Sequence, residues 1–119
     1  MRVTLMSLPT MPFSLIDWNQ LSPTRTEGET GHTEWRALDF ADLRVRLSRY
    51  SPGYKADHFC DEGHILYLIE GDVTVDLKDG RRFEMTPGTS FQVSDFGDSP
   101  HRCSSRNGAR FFVIENRPA

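Results

Sequence analysis

Short segments in which apolar and polar residues alternate dominate the chain from residue 34 onward. Residues 43–48 and 73–77 alternate strictly, a pattern typical of strands that bury one face. Residues 64–69 form a nearly continuous apolar run, which also favours a strand. We predict further strands over the remaining short apolar segments, which are residues 35–40, 82–85, 90–93, 101–104 and 110–115.

Glycine and proline separate these segments at short intervals. Residues 51–54 indicate a turn, Asp79-Gly80 is typical of a β-hairpin, and Pro87-Gly88 interrupts the chain again. Many short strands between such turns indicate a sandwich or barrel rather than alternating strands and helices. We therefore predict an all-β barrel over residues 34–119.

Residues 1–33 form an N-terminal arm and a loop in this interpretation. Residues 22–34 are polar and rich in turn-forming types, so we predict a loop there. Ser14 or Asp17 can cap one short turn within the arm. The arm is too apolar to remain in water, so we expect it to pack on the barrel or on a partner chain; its apolar residues include Met1, Leu5, Met6, Leu8, Met11 and Phe13.

Composition and charge narrow the classes of function. The 119 residues include 14 basic and 17 acidic side chains, and this net charge of −3 argues against a nucleic-acid-binding protein. No apolar run reaches the length of a membrane span, and Pro9 and Pro12 interrupt the mildly apolar N-terminus, so we expect neither membrane insertion nor a secretory signal. Two cysteines without a Cys-x-x-Cys motif are typical of free thiols in the cytoplasm, where we expect this protein.

Histidines and glycines in the strand-rich region carry a resemblance to a known superfamily. Residues 53–71 resemble the first cupin motif, with His58 and Cys60 at its two histidine positions, His64 at its glutamate and Gly71 at its last glycine. Residues 80–101 resemble the second motif; the matching residues are Gly80, Pro87-Gly88 and Pro100-His101. The resemblance implies a cupin jelly-roll, the double-stranded β-helix of RmlC-like proteins, as a single domain with an N-terminal arm.

The similarity is closest to small single-domain cupins of the DHCW-motif family. It covers about residues 13–115. The residues that match the family are 28–31, 35–36, 50–54, 56–58, 63–66 and 100–102. The family name implies the order Asp-His-Cys-Trp, whereas this chain has Asp57-His58-Phe59-Cys60. Cupins commonly pair through sheet edges or exchanged strands, so the resemblance, together with the apolar arm, implies a homodimer.

The motif histidines predict a metal site inside the barrel. Strand alternation places His58 and Cys60 on one face, and the resemblance adds His64 and His101. Buried imidazoles need polar partners, and one divalent ion (Zn, Fe, Mn, Ni or Cu) supplies a partner for all of them. Three histidines also leave coordination positions open, as in catalytic sites. Cys60 is either a fourth ligand, favouring Zn²⁺, Fe²⁺ or copper, or a small core residue.

Several functions are compatible with such a site. The first is a metal-dependent cupin acting on a small molecule, of the dioxygenase or isomerase type if it is an enzyme. The alternatives are non-catalytic binding or sensing of a small ligand, and a structural cupin without metal. His64 in place of the motif's glutamate removes a carboxylate that supplies charge and often a general base. The sequence therefore leaves open whether the protein is an enzyme.

Other polar residues are assigned to the surface. We predict that His32 lies in a solvated loop and that Tyr67 faces away from His64. For the strand arginines we expect a solvated sheet face, with a clamp for a substrate carboxylate as the alternative; they are Arg36, Arg44 and Arg46.

The two cysteines are not expected to form a disulfide. Cupin topology, which the resemblance implies, places the strands of His58 and His101 side by side and antiparallel. Cys60 then lies opposite about Ser99, and Cys103 opposite about Ala56. This offset separates the thiols by more than a disulfide can span.

Overall fold

Two antiparallel sheets face each other in the structure, a computed structural model that describes residues 8–117. One sheet has six strands in the order β1-β2-β3-β10-β5-β8, and the other has four in the order β4-β9-β6-β7. The strands are β1 (Thr24–Glu27), β2 (His32–Phe40), β3 (Leu43–Tyr50), β4 (Tyr54–Lys55), β5 (His64–Gly71), β6 (Val73–Leu77), β7 (Arg82–Met85), β8 (Ser90–Val93), β9 (His101–Ser105) and β10 (Ala109–Asn116). The predicted all-β fold is confirmed.

Strand alternation builds the core between the two sheets. In β6, Val73 and Val75 are buried while Thr74 between them is not, and β10 buries Phe111 and Val113 in the same way. β10 lies at the centre of the larger sheet and pairs with β3 on one side and β5 on the other. The inner face of this sheet therefore combines residues that are far apart in the sequence.

The N-terminal region departs from the predicted loop. Residues 22–34 contain β1 and the start of β2, which pair as a hairpin with Thr24 opposite Trp35. All four residues of β1 are exposed, so it has no hydrophobic alternation, and backbone pairing alone forms the strand. His32 is consequently the first residue of β2 and half-buried, not a solvated loop residue. Asp17 caps a short 3-10 helix (Trp18–Gln20), as predicted.

Some expectations for the arm lie outside the described residues, namely those for Met1, Leu5 and Met6. Over residues 8–117, no helix is long and apolar enough to cross a membrane.

An irregular segment between β4 and β5 changes the predicted pairing with β9. The backbone N–H of Ala56 donates to the carbonyl of Cys103, as expected, but Cys60 pairs with His101 instead of Ser99. Between Ala56 and Cys60 the chain has two residues more than an unbroken ladder with β9 would allow. They fit because residues 57–58 bend out of the strand. Both cysteines are free thiols in the structure, and the shifted pairing leaves Cys60 and Cys103 offset by two residues rather than four.

Candidate metal centre

Three of the predicted ligands converge inside the barrel. Cys60, His64 and His101 each offer one ligand atom, and these atoms all lie within 4.8 Å of one another. Backbone pairing between Cys60 and His101 places these two side chains close together. His64 is the first residue of β5 and lies on the facing sheet. The donor set of two imidazoles and one thiol suits a borderline divalent cation such as Zn²⁺ or Fe²⁺.

His101 is a neutral imidazole in an apolar setting. It is buried, and its ring packs edge-on against His64 at 5.2 Å and against Phe91 at 5.6 Å between centroids. Burial, and then the neighbouring His64, lower the pKa of His101 to about 4. Within residues 8–117 no hydrogen bond involves its ring, so a lone pair is available for a metal ion.

His64 is held by a carboxylate from β10. Its Nδ1 lies 3.1 Å from Glu115 Oε1, and the same oxygen accepts from Arg46 Nε at 3.1 Å and Nη2 at 2.6 Å. Burial raises the pKa of Glu115, but the hydrogen bond from His64 and the charge of Arg46 outweigh it, so the pKa lies below its ordinary value. Glu115 is therefore ionised at neutral pH and can only accept.

Cys60 is a half-buried thiol at the end of the irregular segment. Its Sγ accepts a hydrogen bond from the backbone N–H of Glu62 at 3.3 Å. Burial raises the pKa of the thiol, so the sulfur is protonated at neutral pH when no cation is bound. A coordinated divalent cation displaces such a proton and creates the thiolate ligand.

His58 lies outside this group. Its side chain is 75% exposed, and its Nδ1 donates to Asp57 Oδ1 at 2.6 Å. The prediction assumed an unbroken strand in which His58 and Cys60 share a face, whereas His58 is in the bend at residues 57–58. The structure therefore places His58 on the wall of the same cavity but not beside the other three side chains.

The three side chains border a cavity of about 220 Å³. Its apolar wall includes Leu66, Phe91 and Val113, and its polar wall includes Arg46 and Tyr54. Burial raises the pKa of Tyr54 to about 12, so this phenol stays protonated and can donate a hydrogen bond to a cavity ligand.

Sequence reasoning missed Glu115 and misplaced the arginines of β3. Arg44 and Arg46 were expected on a solvated face, but both lie on the inner side of the large sheet and bind protein carboxylates, Asp39 and Glu115. The alternation within β3 was visible in the sequence. Which face it turns inward depends on the pairing with β10, and no local pattern indicates that pairing. Tyr67 faces outward, as predicted.

Solved structures resemble this chain over most of its length. The polyketide cyclase RemF from Streptomyces resistomycificus matches with a TM-score of 0.73 and 21% identity, over 88% of this chain and 80% of that one. An RmlC-like cupin from Shewanella frigidimarina matches at 0.68 and 20% identity, over 92% and 93% of the two chains. Ectoine synthase from P. lautus matches at 0.69 and 16% identity, over 90% and 80%.

No protein-family profile matches the sequence, and no curated protein does. The structural similarities establish the fold alone: the two sheets of the chain form the jelly-roll barrel seen in RmlC-like cupins. Because cupin barrels support many chemistries, the function has to be argued from the site.

Proposed function

We propose that this protein is a metal-binding cupin that takes a small molecule in its barrel cavity, with Cys60, His64 and His101 as the metal ligands. The convergence of these three donors within 4.8 Å carries the proposal. Three protein ligands leave a coordination position open to the cavity. A divalent cation held there would polarise an oxygen or nitrogen atom of the small molecule.

The remaining cavity residues suit a compact ligand. A volume of about 220 Å³ lies below the usual range for drug-sized ligands, which favours a small metabolite. Leu66, Phe91 and Val113 exclude water from one side of the ligand. His58, whose Nδ1–H donates to Asp57 Oδ1, keeps the lone pair of Nε2 available at the cavity wall, where it can accept a hydrogen bond from a ligand.

Binding or sensing without turnover is the second candidate function. The similar structures include a polyketide cyclase and an ectoine synthase, and their fold alone transfers neither activity. The two possibilities differ in the fate of the ligand. Mass spectrometry of small molecules recovered from the metal-loaded protein distinguishes them, because an enzyme returns altered molecules and a sensor returns them intact.

We also propose a homodimer in the cytoplasm. Two free cysteines suit a reducing compartment, and exposed apolar residues of the arm suit burial against a second copy.

Metal content of purified variants tests the site. The tag-free protein is stripped of metal, supplied with Zn²⁺, Fe²⁺, Mn²⁺, Ni²⁺ or Cu²⁺ in turn, desalted and measured by elemental mass spectrometry. We expect one ion per wild-type chain, with Zn²⁺ or Fe²⁺ retained better than Mn²⁺ because of the sulfur ligand. His64→Ala, His101→Ala and Cys60→Ser should each retain at least ten-fold less.

Two histidine variants serve as controls. His32→Ala removes an imidazole outside the group and should retain full metal content. His58→Ala should do the same; loss of metal in this variant would restore His58 as a ligand. A wild-type protein that binds none of the five ions, or a His64→Ala variant that binds them fully, would refute the metal site.

A further inference from the structure

A network of side chains from three neighbouring strands ends at Nδ1 of His64. We propose that Arg46 and Glu115 are positioning residues that fix the tautomer and the ring orientation of His64 and so leave Nε2 as its metal-binding nitrogen. The inference deepens the proposed function, since it concerns the same metal site. It assigns roles to two residues that the ligand set itself does not include.

Strand register places the carboxylate beside the imidazole. Glu115 on β10 lies directly opposite His64 on β5, so their side chains leave the sheet on the same face. A carboxylate oxygen only accepts hydrogen bonds, so His64 in its neutral form carries its proton on Nδ1. Nε2 then carries the free lone pair, and the hydrogen bond restricts rotation of the ring.

Arg46 holds the carboxylate in turn. It donates from Nε and Nη2 to Glu115 Oε1, and the two side chains are only 19% and 8% exposed. The residue directly opposite Glu115 on β3 is Arg44, but Arg44 binds Asp39 at 2.7 and 3.1 Å. Arg46 therefore reaches diagonally to Glu115 and is the arginine that orients it.

Trp35 restricts Arg46 from the other side. The centroid of its indole ring lies 5.7 Å from the guanidinium carbon of Arg46 and 5.5 Å from that of Arg44. The indole Nε1 donates to Thr26 Oγ1 at 3.3 Å, which fixes the ring itself. Both arginines share this environment, but only Arg46 contacts Glu115. Arg44 is consequently a matched control for Arg46.

The tautomer of His64 is measured first, in metal-free protein. Nitrogen-15 NMR reports which ring nitrogen carries the proton, and the His64 signals are those missing from His64→Gln. We expect a protonated Nδ1 in the wild type and a shift of population toward protonated Nε2 in Glu115→Gln, which weakens the acceptor. A wild-type His64 protonated on Nε2, or a tautomer unchanged by Glu115→Gln, would overturn the proposal.

Cobalt binding is measured second, on Arg46→Lys and Arg44→Lys. Loss of an outer-shell partner typically weakens metal affinity about 10- to 100-fold, so Arg46→Lys should weaken Co²⁺ binding by at least ten-fold and alter its visible absorption. Arg44→Lys should change the affinity less than three-fold. Equal effects of the two variants would contradict a positioning role. Such a result would indicate that both substitutions act through the general stability of the barrel and not through the contact of Arg46 with Glu115.

The two measurements separate this inference from the proposed function. A wild-type protein that binds no Co²⁺ or other divalent ion refutes the metal site. The NMR result in metal-free protein still decides whether Glu115 fixes the tautomer. Circular dichroism confirms that each variant is folded before either measurement is interpreted.

Discussion

Two buried serines differ in what their hydroxyl groups contact. Ser48 on β3 is buried, and its hydroxyl has no hydrogen-bond partner among the described residues. Ser105 on β9 is equally buried, but its oxygen accepts the backbone N–H of Gly108 at 3.0 Å and lies 3.5 Å from Asp72 Oδ1. Removing an unpaired buried hydroxyl relieves a desolvation cost, whereas removing a bonded one leaves its partner unpaired.

Ser48→Ala should therefore leave stability unchanged or raise it by up to about 1 kcal/mol, and Ser105→Ala should lower it by about 1–2 kcal/mol. Urea unfolding of both variants at neutral pH measures these differences. The same small truncation is made in each case, so the comparison isolates the hydrogen bond. A Ser48→Ala variant less stable than Ser105→Ala would show that the Ser48 hydroxyl has a partner, such as a buried water.

At the residue scale, the sequence predicted part of the candidate site. His64, His101 and Cys60 follow motif positions, and the structure brings them together. His58 lies apart from these three side chains because of the bend at residues 57–58. The hydrophobic pattern of the sequence does not indicate this bend. Glu115 was missed because its role depends on three strands from distant parts of the chain being in register.

At the scale of elements, hydrophobic alternation predicts strands that bury a face. The predicted and observed bounds coincide for β6, β7 and β8, and the others differ by a few residues at their ends. β1 and β4 were missed, because the first is fully exposed and the second has only two residues. Such strands are formed by their pairing partners and not by their own pattern.

Asp72 connects the β5–β6 turn to the β9–β10 hairpin. Its Oδ1 accepts the backbone N–H of Arg106 at 2.8 Å, and its Oδ2 accepts that of Asn107 at 3.1 Å. Burial raises the pKa of Asp72, but these hydrogen bonds outweigh it, and the pKa lies below the ordinary value. The hairpin joins the strands that carry His101 and Glu115, so Asp72 stabilises the fold around the site.

The stabilisation by Asp72 should depend on pH. A pKa lowered by folding means that the folded state favours the ionised carboxylate, so its contribution is complete above the unfolded pKa, about 3.9. This stabilisation is lost as the pH falls through the pKa that Asp72 has in the folded protein. We expect Asp72→Asn to lower the free energy of unfolding at pH 7 by about 1 kcal/mol, a modest value for a partly exposed group.

Urea unfolding between pH 7 and pH 3 measures this difference for wild type and variant. The gap between the two proteins should shrink as the pH falls below 4. Glu84→Gln, at an exposed carboxylate on β7, is the control and should match the wild type at every pH. A gap that widens in acid would contradict a lowered pKa for Asp72.

At the scale of the whole molecule, the outer face of the large sheet is notably apolar. Alternation turns outward those residues of β2, β3, β5 and β10 that do not face the core. Register aligns them in two adjacent rows across the sheet, Leu38-Val45-Ile114-Ile65 and Arg36-Leu47-Phe112-Tyr67, in which Arg36 is the one charged member. The chain's own Trp18 covers Phe112 edge-on at 6.0 Å, while Ile65 and Tyr67 are about half exposed.

The N-terminal arm carries the complementary apolar residues. Phe13 is 95% and Leu15 90% exposed, and they precede Trp18, which already lies on this face. In a two-fold dimer, the same face of both copies meets, and each arm can cover the exposed strip of the other copy. An apolar face and exposed apolar arm on one chain thus favour a second copy as the partner.

We therefore expect sedimentation velocity to show a dimer that depends on this face. Tyr67→Arg places a charge in the contact and Phe13→Ser removes an arm residue, so each should weaken the dimer at least ten-fold. Phe83 on the smaller sheet is 53% exposed, close to the 49% of Tyr67, so Phe83→Ser is a matched control that should remain dimeric. A wild-type protein that stays monomeric at a concentration on the order of 10⁻⁴ M would refute the dimer. Stable protein–protein interfaces typically reach micromolar affinity or better, so a dimer would be populated at that concentration. Dissociation by Phe83→Ser alone would instead place the interface on the smaller sheet, because only there does that side chain become buried on association.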